Sequence, residues 1–182
     1  MHIINNRITL NHTNSMKTIN TLEDALTMEL ENLYCAEMKL LDRFSKLEGI
    51  IHSDRLHYIL RRYTESCNNK KLKLGRALSY LHHEPQACSI SVIDELIDES
   101  FKRLRFAQQP SVQEQMLINC IERINSYKIC VYEAAVRYAE ELELEQVADL
   151  LITVLEWERK TKSELVNLSV HMFNTKDYMA DA

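Results

Sequence analysis

Glycine and proline, the two residues that break helices, are nearly missing from this sequence. Its 182 residues hold two glycines, Gly49 and Gly75, and two prolines, Pro85 and Pro110. Few tight turns can be built from that supply, which excludes a fold of many short elements. Strand signals are missing as well: no run of alternating β-branched residues is bounded by turn residues. The expected class is all-α, with few and long helices. Charges interrupt every apolar stretch well before the roughly 18 residues a membrane span needs, so no membrane partner is expected. There is no Lys/Arg excess either. Twenty-two basic residues face 27 acidic ones, a formal net charge of −5, which argues against a general nucleic-acid binder. The short basic clusters, Lys70-Lys71 with Lys73 and Lys102-Arg103 with Arg105, read as solvated faces.

The five cysteines, Cys35, Cys67, Cys88, Cys120 and Cys130, form no CxxC pair and no zinc-like Cys/His spacing. Four fall within helical patterns. They read as small buried hydrophobes in a reducing compartment rather than as a disulfide frame, which goes with a cytoplasmic location. Met1 to Lys17 is rich in Asn and Thr and lacks the apolar core of a signal peptide. Residues 1–20 are expected to form a flexible tail, 21–173 one helical bundle and 174–182 a second tail.

What is present is helical periodicity. A first helix is expected from Leu22 to Leu47, capped by Thr21 with Asp24 and ended by Gly49. A second runs from the cap Ser53 to Leu81. Gly75 lies inside it, a cost of about 1 kcal/mol against Ala that close packing would justify. A shorter helix, Val92 to Phe106, turns Ile93, Leu96, Ile97, Ser100 and Leu104 inward. Ser111 with Glu114 reads as the capping box of the next helix, which ends near Leu142. The last begins near Glu145. Four long helices and one short one give an antiparallel four-helix bundle, with the short helix between the second and third long ones.

Several seams carry residues that do not belong on them. The first reads Leu26, Leu30, Leu33, Glu37, Leu40, Phe44, Leu47. A buried carboxylate costs several kcal/mol unless a cation or donor meets it. The fourth helix places Lys128 among Ile121, Ile124, Val131 and Ala135, with Asn125 one turn away. The fifth places Glu158 between Val154 and Leu165. The second carries Tyr63 and Lys70, although a lysine stem can bury while its head reaches water. Mid-helix positions of antiparallel helices meet at one level, so Glu37, Lys128 and Glu158 are expected to converge, with Tyr63 and Asn125 beside them. Drift of helical phase would instead carry one or more to the surface. A full di-metal bundle site needs Glu from two helices and Glu-x-x-His from the other two, and no long helix here has Glu-x-x-His. An ammonium between two carboxylates supplies positive charge where a metal would sit. The adjacent His82 and His83 point different ways and read as loop decoration. Trp157 reads as core or interface.

These residues resemble the YciE/YciF stress-protein family. Leu33-Tyr34-Cys35-Ala36-Glu37-Met38-Lys39-Leu40 is similar to that family's Leu-Tyr-Asp-Ala-Glu-Lys-Gln-Leu. His83-Glu84-Pro85 through Cys88, Tyr127 to Tyr132, and Leu150-Leu151 through Glu158 resemble three further segments. The resemblance implies a ferritin-like, rubrerythrin-type bundle and a homodimer. It also implies a carboxylate set of which Glu37, Glu99 and Glu158 remain. Tyr63 stands where the family has histidine. Asn125, Lys128 and Trp157 stand where it has glutamates. The expected function is a non-catalytic, stress-associated protein with a degenerate metal site and no cofactor. The alternatives are a metal-binding oxidase or peroxidase that holds iron or manganese on Glu37, Glu99 and Glu158, and a helical adaptor for a protein partner.

Overall fold

The computed structural model describes residues 18–47, 51, 54–85 and 92–174. Gly49, Ser53, Cys88 and both chain ends lie outside the described residues, with the expectations attached to them. Five helices follow one another: α1 (Leu22–Ser45), α2 (Asp54–Tyr80), α3 (Val92–Leu104), α4 (Pro110–Glu141) and α5 (Glu145–Asn174). No strand occurs among the described residues.

Local chemistry sets the helix ends. At the start of α1, Thr21 Oγ1 accepts from the Asp24 N–H and the Asp24 carboxylate accepts from the Thr21 N–H, both at 3.0 Å. This reciprocal cap contributes about 1 kcal/mol. The expected Ser111–Glu114 cap is corrected: Gln109 is the N-cap, without a side-chain bond, and Pro110 opens the helix. Proline's fixed φ and missing N–H suit the first helical position, so the helix begins ahead of the serine. Scarce glycine shows at two C-terminal ends. His82 and Glu143 take positive φ, 56° and 55°. The next N–H groups reach back, His83 to the Leu78 carbonyl at 3.0 Å and Leu144 to that of Ala139 at 2.9 Å. This is the helix stop in which glycine is usual, so His82 caps a helix rather than decorating a loop. Gly75 is also corrected. A Cβ there would stand 3.8 Å from Tyr34 Cε2, an ordinary contact, so packing does not demand glycine.

Each long helix buries one stripe. Packing pairs α1 with α2 and α4 with α5, and closes the ring through α2–α5 and α1–α4. Two apolar clusters fill it. One joins the end of α1 (Leu40, Phe44), the start of α2 (Leu56, Leu60), α3, the start of α4 (Leu117, Ile121) and the end of α5 (Leu165, Leu168). The other joins the start of α1 (Leu26, Leu30), the end of α2 (Leu74, Leu78), the second half of α4 (Tyr132, Ala135) and the start of α5 (Val147, Leu151). Ring neighbours are therefore antiparallel, while α2 and α4 are parallel and diagonal. The connection between those two must return along the bundle, and α3 closes its far end. There α3 buries Ile93, Ile97 and Leu104. Lys39 on α1 reaches Asp98 at 2.8 Å and Asp94 at 3.4 Å.

Candidate functional site: a charged layer in the bundle core

The two apolar clusters stop short of each other, and the interval is polar. On α1 it falls between Leu33 and Leu40, on α2 between Cys67 and Leu74, on α4 between Ile124 and Ile129, and on α5 between Leu155 and Leu165. Each of the four long helices delivers one charged side chain into it: Glu37, Lys70, Lys128 and Glu158, all 0% exposed. Helical spacing does the placing, because each is three or four residues from an apolar neighbour on its own stripe.

Lys128 is the hub. Its Nζ pairs with Glu37 Oε1 and stands 2.6 Å from Glu158 Oε1. Lys70 Nζ meets the same Glu158 oxygen at 2.8 Å. Asn125 Nδ2 donates to the other Glu158 oxygen. The Tyr63 ring lies under both cations, 4.7 Å from Lys70 Nζ and 5.4 Å from Lys128 Nζ, and its hydroxyl accepts from Lys128 at 3.5 Å. Two ammoniums offset two carboxylates, so the layer is neutral overall. Burial by itself would lower the Lys128 pKa, but Glu158 and Glu37 overcome it and hold the ammonium well above its ordinary range. Burial would raise Glu158, and Lys128 with Lys70 holds it below the ordinary carboxylate value instead.

Two more groups border the layer. Cys67 is buried, and burial with the nearby Glu37 charge pushes its thiol well above the usual value. Tyr132 is buried too, raised first by burial and then by Glu37. The Cys67 thiol lies against the Glu37 carboxylate, and Tyr132 OH has no hydrogen-bond partner among the described residues.

Glu37, Tyr63, Asn125, Lys128 and Glu158 thus come together. Glu99 does not. It lies on the outer face of α3, where Arg103 holds it at 2.8 Å and keeps its carboxyl below the ordinary range. Lys70 is the correction in the other direction, since its head is fully buried and not in water. Charge balance was the available signal: two seam carboxylates and one seam ammonium leave one charge uncompensated, and Lys70 on the facing seam closes it. The cysteine reading also changes. Cys35 is disulfide-bonded, and its partner lies outside the described residues. Cys130 is exposed. Trp157 is half-buried beneath Lys73, whose Nζ stands 5.3 Å from the ring centre.

Among the described residues, no group of three His, Cys, Asp or Glu is placed to hold a metal. No helix of the described residues is long and apolar enough to cross a membrane.

A family model described as a domain of unknown function, DUF892, matches residues 21–177. The chain belongs to the DUF892 family. Protein YciF of Escherichia coli K12 is 24% identical to it over 159 residues, which cover 86% of this chain and 95% of YciF. The solved structure of the E. coli stress protein YciF superposes with a TM-score of 0.80 at 22% identity, covering 87% of this chain and 100% of that one. YcfI of Rhodopseudomonas palustris superposes with a TM-score of 0.77 at 23% identity, covering 82% of this chain and 95% of the other. The family resemblance and the helical-bundle class read from the sequence are thereby shown.

Proposed function

We propose that this protein is a non-catalytic, stress-associated member of its family, with a ferritin-like bundle in which ammonium groups stand where a metal would otherwise sit. The observation that carries this reading is Lys128 Nζ bridging Glu37 and Glu158 in a fully buried layer. The donor set argues against a resident metal. A divalent ion needs open carboxylate or imidazole lone pairs, and here both carboxylates already face ammoniums. Lys70 adds a second positive charge that would repel the ion. Glu99, the third carboxylate of a metal-binding reading, is tied to Arg103 on the surface. The return connection between the parallel α2 and α4 supports the ferritin-like assignment, because ferritin-like bundles have one long crossover. The stress association rests on the name of the E. coli relative. A homodimer formed through a helix face belongs to the same reading; the cytoplasmic location loses its cysteine support, because Cys35 is disulfide-bonded.

The test is metal analysis of protein purified without chelators, beside Lys128→Glu. We expect no stoichiometric iron or manganese in the natural sequence, and a gain of divalent-ion binding in the variant, which adds a carboxylate and removes a cation. Stoichiometric iron or manganese in the unaltered protein overturns the reading.

A further inference from the structure

The charged layer accounts for one lysine of α2 and leaves the rest of that helix unexplained. From Ser66 to His83 the chain carries no Asp or Glu, yet it carries Lys70, Lys71, Lys73 and Arg76. Lys70 turns inward. The other cations have no ion-pair partner among the described residues. Lys73 and Arg76 rest on aromatic faces instead, 5.3 Å from the Trp157 centroid and 5.8 Å from that of Tyr80. Leu72, between Lys71 and Lys73 in sequence, is 69% exposed. The stretch from Lys71 to Tyr80 is about 14 Å of basic, partly apolar helix.

The opposite composition stands elsewhere on the same chain. Glu140, Glu141, Glu143, Glu145 and Asp149 are all exposed around the tight turn that joins α4 to α5. None of them forms an ion pair among the described residues. No ion pair among the described residues offsets their mutual repulsion, and the α4 carbonyl end adds negative potential that the N–H end of α5 opposes. The turn joins α4, diagonal to α2, to α5, which packs against α2 at the same end of the bundle, yet among the described residues no ion pair joins the two sets.

We propose that the second half of α2 docks the α4–α5 turn of a second copy of this chain. The occupant is chosen by charge. The basic stretch of α2 and the exposed acidic turn of one chain are complementary, so a second copy offers each patch its opposite. A two-fold axis would make the contact twice, each copy offering its helix to the other's turn. This names the surface for the homodimer of the reading above and rests on it.

Sedimentation velocity on the full chain tests it. We expect a dimer whose dissociation constant rises about tenfold or more between about 50 mM and 500 mM NaCl. Lys73→Glu with Arg76→Glu should give monomers, and so should Glu141→Lys with Glu143→Lys, each with an unchanged helical circular dichroism spectrum. Mixed one to one, the two variants should associate again, because each reversed patch then meets its opposite. A dimer that persists at high salt and in both variants overturns this contact and leaves the homodimer standing. A monomer at every salt and protein concentration overturns both. A mixture that stays monomeric overturns the contact alone.

Discussion

Two sets of ion pairs in this molecule have nearly the same distances and opposite settings. In the core layer, Lys128 stands 2.6 Å from Glu158, with both side chains 0% exposed. On α3, Arg103 stands 2.8 Å from Glu99, with side chains 58% and 53% exposed. At equal separation the Coulomb attraction is many times stronger inside, but so is the cost of taking each charge from water. Distance therefore says little about what each pair contributes. What differs is the consequence of removing one member: water takes over on α3, and nothing takes over in the layer.

The sharpest way to break this contrast is Lys128→Met. It strands Glu37 and leaves Glu158 with Lys70 and Asn125, so we expect a loss of about 3–5 kcal/mol in urea unfolding. An unchanged midpoint would place Lys128 in contact with water. Replacing all four charges with apolar residues (Glu37→Leu, Lys70→Met, Lys128→Met, Glu158→Leu) should give back most of that loss. We expect stability within about 2 kcal/mol of the original, in either direction, because no uncompensated charge remains. If the quadruple variant were as unstable as Lys128→Met, the packing of the layer rather than its charge would be at fault.

The pH profile separates the two members of the hub. Glu158 is held below its ordinary value of 4.5, so its contribution is present above that pH and is lost as pH falls through the lowered value. Lys128 is held well above its ordinary value of 10.5. Its contribution is present below that pH and is lost as pH rises through the raised value. Denaturant midpoints should therefore show a plateau from about pH 5 to 10 that Lys128→Met abolishes. A midpoint that slopes steadily between pH 6 and 9 would contradict the paired state. The smallest effect is expected on α3, where Glu99→Ala should change stability by less than about 0.5 kcal/mol. A loss approaching that of Lys128→Met would show that α3 bears on the core layer after all.

Much of this was legible without coordinates. Periodicity and scarce glycine place the helices, because both are local properties of the chain. The Thr21–Asp24 cap needs residues three apart and nothing else. Glu37, Lys128 and Glu158 were visible as wrong residues on apolar stripes. Lys70 was on its stripe too, but its four-carbon stem permits either fate, and only the carboxylates of other helices choose between them. The cap of α4 misled because a serine followed by glutamate competes with a proline one residue ahead.

The sequence by itself determined an all-α chain, the approximate spans of its long helices and which residues would be costly to bury. The tertiary structure decided that these residues meet in one neutral layer, that Lys70 completes it, and that Glu99 stays outside. The reason is physical. Helix formation is governed by neighbours within one turn, whereas the worth of a buried charge depends on groups 33 or 91 residues away in sequence, as Glu158 and Glu37 are from Asn125 and Lys128 respectively.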